Sequence, residues 1–239
     1  SVGLVKGVGF NSWRRVDTVL PAIKVYNMRE VDELILLDIE ATNEKRDPDY
    51  DEIRDFSREC FVPFCVGGGI CNIEQIRQLL RAGADKVAIN TAAYNDIALI
   101  TEGADLFGSQ CIVASIDCRN IDGEYHCFSN DGTVDTGYMV EEWAKKVVDA
   151  GAGEILLTSV ERDGTMQGYD IELIRRVTSC VSVPVIASGG AGNYEHMREA
   201  VMDGGASAVA AASIYHFTEQ TPREAKEYLQ EHGVAVRLM

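Results

Sequence analysis

The sequence predicts an α/β fold, an eight-strand barrel made of two like halves of four strands each. Three observations carry that expectation. The chain resembles itself at a shift of 121 residues: Pro63, Gly68 and Gly69 fall on Pro184, Gly189 and Gly190, and Asn72 falls on Asn193. Short apolar runs alternate with helical patterns, as in repeated β-α units around a parallel sheet. The length of 239 residues also suits one barrel, read as a single domain over 1–239.

The elements follow in order. Strands are expected at 33–38, 63–66, 86–90, 111–117, 154–159, 183–187 and 207–212, each a short apolar run. Glu33-Leu34-Ile35-Leu36 falls on Glu154-Ile155-Leu156-Leu157, and Lys86-Val87-Ala88-Ile89 on Ser207-Ala208-Val209-Ala210. Asn72 opens a run with Ile73, Ile76 and Leu80, and Asn193 a run with Tyr194, Met197 and Val201. Both runs have helical spacing behind a good N-cap residue. The strand at 111–117 opens the second half, and its counterpart would lie before Ser1. The first strand of the barrel is therefore expected to be missing from this chain.

Composition narrows the function. With 46% hydrophobic and 25% charged residues, the chain has ample core-forming material. No apolar run is long enough for a membrane span and no signal-peptide core opens the chain, so a soluble, cytoplasmic protein without membrane association is expected. The net charge of -16 would repel a polyanion, which argues against nucleic-acid binding. The seven cysteines form no Cys-x-x-Cys pair, and the four histidines show no ligand spacing. Free thiols in a reducing compartment, no metal site and no cofactor are the expectations.

Chemistry in such a barrel belongs at the C-terminal strand ends. Polar residues ending the apolar runs are Asp38, Asn90, Asp117 and Thr158, with Asp163 in a loop beyond. Alternation puts Val113, Ser115 and Asp117 on one strand face. If that face is interior, Asp117 suits general acid or base work; it could equally cap the next loop. Gly67-Gly68-Gly69 and Ser188-Gly189-Gly190 would let two phosphates approach the backbone, or would only permit tight turns. Asp163 reads more as a loop organiser than as a catalyst. Glu33, Lys86 and Glu154 each begin a strand, and could ring the barrel floor as a gate or lie in solvent as ordinary strand starts.

Specific stretches extend this reading. Val5-Lys6-Gly7, Leu37-Asp38-Ile39, Val66-Gly67-Gly68-Gly69-Ile70, Ile89-Asn90-Thr91-Ala92, Arg162-Asp163-Gly164-Thr165 and Ala187-Ser188-Gly189-Gly190-Ala191-Gly192 resemble the cyclase subunits of imidazole glycerol phosphate synthases. The resemblance runs from Leu4 to Leu238. It implies a (β/α)8 TIM barrel, a lyase that takes ammonia from a glutaminase partner. Its substrate would be the bisphosphate phosphoribulosyl-formimino-aminoimidazole carboxamide ribonucleotide, and its products imidazole glycerol phosphate and aminoimidazole carboxamide ribonucleotide. It further implies that Asp117 is one of two catalytic aspartates. Gly69, Asn90 and Thr91 match one phosphate site, and Gly164, Gly190 and Ser213 the other. Lys6 matches a lysine on the mobile first loop, and Glu33, Lys86 and Glu154 match the ammonia gate.

Departures accompany the likeness. The second aspartate and the gate's arginine belong to the first strand, the usual Gly-Asp-Pro is replaced around Asp17-Thr18-Val19, and Glu40 stands where Thr is usual. With Arg58-Glu59-Cys60-Phe61-Val62-Pro63, these also resemble a paralogous branch in nucleotide-sugar amidation for surface polysaccharides. There the subunit would hand ammonia to another enzyme without cyclising anything.

Overall fold

Seven apolar runs pair side by side in parallel, in the order the repeat predicts. The computed structural model describes residues 3–10 and 13–237; Leu238, where the resemblance ends, lies outside them. The first half contains β1 (Gly3–Gly7), β2 (Trp13–Thr18), α1 (Val19–Met28), β3 (Leu34–Leu37), α2 (Ala41–Glu44), α3 (Tyr50–Ser57), β4 (Phe64–Gly67), α4 (Ile73–Ala82) and β5 (Lys86–Ile89). Then come α5 (Thr91–Asn95), α6 (Ala98–Phe107), β6 (Ile112–Ile121), β7 (Glu124–Ser129), β8 (Val134–Met139), α7 (Val140–Asp149) and β9 (Glu154–Ser159). The chain continues through α8 (Ile171–Thr178), β10 (Val185–Ser188), α9 (Tyr194–Met202), β11 (Ala208–Val209), α10 (Ser213–Phe217) and α11 (Pro222–Glu231).

The parallel order is β3-β4-β5-β6-β9-β10-β11, with helices between successive strands. Among the described residues β3 and β11 are edges, and a cavity of about 590 Å³ lies against both, touching Leu34, Ile35, Ala208 and Val209. The last strand has only two ladder residues where 207–212 was expected. The strand expected at 111–117 instead runs on to Ile121, where Asp122 and Gly123, both at positive φ, reverse the chain into β7. β7 and β8 add antiparallel strands beyond β6, and β1 with β2 forms a separate hairpin. None of these four was expected.

The repeat reaches down to the helix caps. Asn72 accepts from the Gln75 backbone N–H and Asn193 from that of His196. Asp49 and Asp170, 121 residues apart like the asparagines, cap α3 and α8 in the same way. Each oxygen satisfies an N–H that the helix itself leaves unpaired.

Strand alternation separates two cores. Ile112, Ala114 and Ile116 of β6 belong to the large cluster that the helices cover. Val113 faces inward with Cys65, Ala88, Leu156 and Ile186, a small apolar belt inside the barrel. On the outside, Trp143 of α7 is 2% exposed and stacks on Tyr94 of α5 with ring centroids 4.1 Å apart, while Tyr138 of β8 tilts against it at 4.8 Å. This aromatic group ties the β7–β8 excursion back to the barrel wall. Trp143→Ala should therefore cost about 3–5 kcal/mol of stability, read from urea denaturation; a loss below about 1 kcal/mol would mean that the excursion is held elsewhere.

Candidate active site

β6 carries Asp117 at the top of the barrel. Its backbone pairs with Thr158 in the parallel β9 and with Phe128 in the antiparallel β7. The side chain points inward and is 8% exposed. Asn90, just past β5, donates from Nδ2 to Asp117 Oδ2 at 2.7 Å. Burial, with the charge of Asp131 added, pushes the Asp117 carboxyl up to about 7, against the opposing pull of the Asn90 hydrogen bond.

Asp117 and Asn90 line a cavity of about 520 Å³ together with Gly68, Gly69, Thr91, Ser115, Thr158 and Ser188. Gly68 and Gly69 lie at φ +104° and +71°; a Cβ on Gly68 would meet the Asp38 carbonyl at 2.2 Å, so the turn requires glycine there. Thr91 stands in the same cavity, its hydroxyl accepting from the Asn130 N–H at 3.0 Å. The first expected phosphate set, Gly69, Asn90 and Thr91, is thus brought together.

The second set borders the cavity at the sheet edges, where Gly164, Gly190 and Ser213 meet. Gly190 (φ +108°) packs on the backbone of Gly168, whose N–H donates to the Gly190 carbonyl at 2.7 Å. The β1–β2 hairpin closes over this region: Gly7 presses on Gly164, and the Gly9 N–H donates to the Asp163 carbonyl at 3.0 Å. Lys6 lies with its ammonium 4.1 Å from the ring centre of Phe217, the last residue of the short helix that Ser213 begins. The hairpin thereby packs a cation against the short helix that Ser213 begins.

At the other end of the barrel, Lys86 bonds to both Glu33 and Glu154, the latter at 2.7 Å. All three side chains are less than a third exposed, so they are not freely solvated strand starts. Burial would lower the Lys86 ammonium, but its bonds to Glu154 and Glu33 outweigh this and hold it above its ordinary value. The apolar belt lies between this charged floor and the polar cavity above.

Several cavity residues were not singled out from sequence. Asp131 and Thr133 come from the β7–β8 turn, and the Asn43 amide donates to Asp131. The dipeptide signal was present, since Asn130, Asp131 and Gly132 all lie at positive φ in a hairpin turn. Asp163 organises its loop through its backbone, yet its carboxyl also lines the cavity, and burial raises its pKa. Glu40, one of the departures, borders the same cavity. The seven cysteines are free thiols. Among the described residues no group of three His, Cys, Asp or Glu could hold a metal, and no helix is long and apolar enough to cross a membrane.

Comparison with known proteins matches residues 1–221 to the family described as histidine biosynthesis protein. The chain is 48% identical over 235 residues to the imidazole glycerol phosphate synthase subunit HisF of Chlorobaculum parvum, covering 98% of this chain and 94% of that protein. Similarity to the proteins of the same name from Chloroherpeton thalassium and Chlorobaculum tepidum is 47% and 46% with the same coverage.

The raised Asp117 carboxyl has a consequence for stability. An unfolded Asp titrates near about 3.9, so the folded chain keeps a proton that the unfolded chain releases, and stability falls as pH rises from about 4 towards 7. Asp117→Asn lacks this loss. Relative to the parent, its urea midpoint should improve steadily from pH 4 to pH 8; a constant gap across that range would show that Asp117 is not held protonated.

Proposed function

The chain belongs to the histidine biosynthesis protein family, and on that premise we propose that it is the cyclase subunit of imidazole glycerol phosphate synthase. It is a lyase that uses ammonia, supplied by a glutaminase partner, to turn phosphoribulosyl-formimino-aminoimidazole carboxamide ribonucleotide into imidazole glycerol phosphate and aminoimidazole carboxamide ribonucleotide. The observation that carries the reading is the position of Asp117, a buried carboxyl raised to about 7, in a cavity that also holds one glycine cradle. The other cradle opens on the adjoining cavity, and Asp163 and Ser188 border both.

The residues divide the work. Gly69, Asn90 and Thr91 hold one phosphate of the substrate and Gly164, Gly190 and Ser213 the other, through backbone N–H groups and hydroxyls. Lys6 adds positive charge at the second. Asp117 is partly protonated near neutrality, so it can both remove and return a proton as the ring closes. Glu33, Lys86 and Glu154 admit ammonia from the partner docked on the barrel floor. A reducing, cytoplasmic setting fits the seven free thiols. The shared name of the relatives favours the cyclase over the non-cyclising amidation subunit.

Asp117→Asn keeps the size and removes the titrating group. Ammonia-dependent turnover should fall by about 100- to 10,000-fold with little change in substrate KM, measured by steady-state kinetics with ammonium; near-normal turnover would exclude Asp117 as the proton carrier. Lys86→Ala should disturb glutamine-dependent turnover, assayed with the glutaminase present, more than turnover with free ammonium. Equal effects in the two assays would reduce Lys86 to a structural ion pair.

A further inference from the structure

The turn between β7 and β8 has an unfavourable backbone. Asn130, Asp131 and Gly132 take successive positive φ angles of 48°, 54° and 71°, and the first two carry side chains in a region that glycine prefers. Such a turn persists only where its surroundings hold it. Here the Asn130 N–H donates to Thr91 Oγ1 at 3.0 Å, Arg119 Nε to the Gly132 carbonyl at 3.1 Å, and the Thr133 hydroxyl to the Asn130 carbonyl at 2.6 Å. The Asn43 amide donates to Asp131 Oδ2. Bonds from α2, α5 and β6 therefore fix where the Asp131 carboxyl stands.

That position matters because of what the cavity lacks. Asp38, Glu40, Glu44, Asp117, Asp131 and Asp163 line it, and no lysine, arginine or histidine is among the described residues that do. Arg46, from outside the wall, pairs with Asp38 and Glu44. Asp131 is met by the neutral Asn43 amide, which favours its ionised form against burial and the charge of Asp38. Like charges in a partly desolvated cavity repel strongly, so a fixed carboxylate on this wall favours the protonated form of a deeper one. Among the charged groups that act on Asp117, Asp131 acts most and Asp163 less in the same direction, while Arg119 opposes them.

We propose that Asp131 is a positioning residue of the reaction: held by its turn, its charge keeps the transferable proton on Asp117. The role rests on the cyclase reading and deepens it, since it gives the β7–β8 excursion a part in the chemistry. The turn is anchored on Thr91, so the same element joins the first phosphate set to the proton carrier.

Urea denaturation of the full chain from pH 4 to pH 8 tests the coupling without any assay of activity. The stability gap between Asp117→Asn and its background grows with pH until the folded Asp117 has lost its proton, and then levels off. In an Asp131→Asn background the levelling should come about one pH unit lower than in the parent. Asp131→Gly suits a φ of 54° better than aspartate does. It should give the same shift, which keeps the test open if the asparagine variant fails to fold, whereas Asp131→Glu keeps the charge and should restore the parent's levelling point. In steady-state kinetics with the bisphosphate substrate and ammonium chloride, the limb of the pH–rate profile that reports Asp117 should move in the same direction by the same amount. A levelling point unchanged in both Asp131→Asn and Asp131→Gly overturns the proposal. So does an equal shift with Asp135→Asn, which removes the same charge from an exposed site in β8, because net charge and not position would then be acting. An unmoved kinetic limb beside a shifted levelling point removes the role in the reaction. A parent chain without turnover on ammonium removes the cyclase reading itself, and the denaturation arm then reads the coupling alone.

Discussion

The inner belt of Cys65, Ala88, Val113, Leu156 and Ile186 is the contact on which this barrel's organisation turns. Strand alternation forces every second side chain into a narrow interior, and five apolar groups fill its middle layer. Because that layer is apolar, charged residues on the same strand faces can survive only at the ends. Lys86 and Glu154 sit below the belt, and Asn90, Asp117 and Thr158 above it; all but Asp117 lie two residues along the chain from a belt member, and Asp117 lies four beyond Val113. One packing constraint therefore places a charged floor and a polar site at opposite ends of the barrel.

The two ends solve their electrostatics differently. At the floor, Lys86 lies between two carboxylates, and direct pairing stabilises the charged state of a half-buried ammonium. At the top, the cavity wall gathers Asp38, Glu40, Asp117, Asp131 and Asp163, and the deepest of these carboxyls is the one raised to about 7. Asp38 is relieved by a two-pronged bond from Arg46, at 2.8 and 3.0 Å, whereas Asp117 has only the neutral Asn90 amide. A neutral donor moderates the carboxylate without fixing it in the ionised form. Burial first, and then the nearby charge of Asp131, leave Asp117 able to titrate near neutral pH.

Much of this was legible before any coordinates. The repeat and the apolar runs located all seven parallel strands, because a strand inside a barrel must read as a short hydrophobic run and a β-α unit must bury one helix face. The glycine cradles and the strand-end polar residues followed from the same logic. The β1–β2 and β7–β8 hairpins did not, since they lie outside the parallel barrel wall; β7–β8 is held by its turn and by aromatic packing between Tyr94, Tyr138 and Trp143. Asp131 was missed with its hairpin. Ser115 was placed on the right face, and the structure puts it on the cavity wall.

Asp117 sits where β6 changes from a parallel neighbour to an antiparallel one, with β9 on one side and β7 on the other. Most residues at a barrel mouth belong to loops that can drift on the nanosecond scale, whereas this one is a rung shared by two ladders. Its backbone amide should rank among the slowest in the molecule to exchange with solvent deuterium, opening only when the sheet itself does. The reorganisation that a mobile acid would undergo in each catalytic cycle is thus completed once, when the chain folds. In the proposed reaction Asp117 therefore acts from a fixed backbone position.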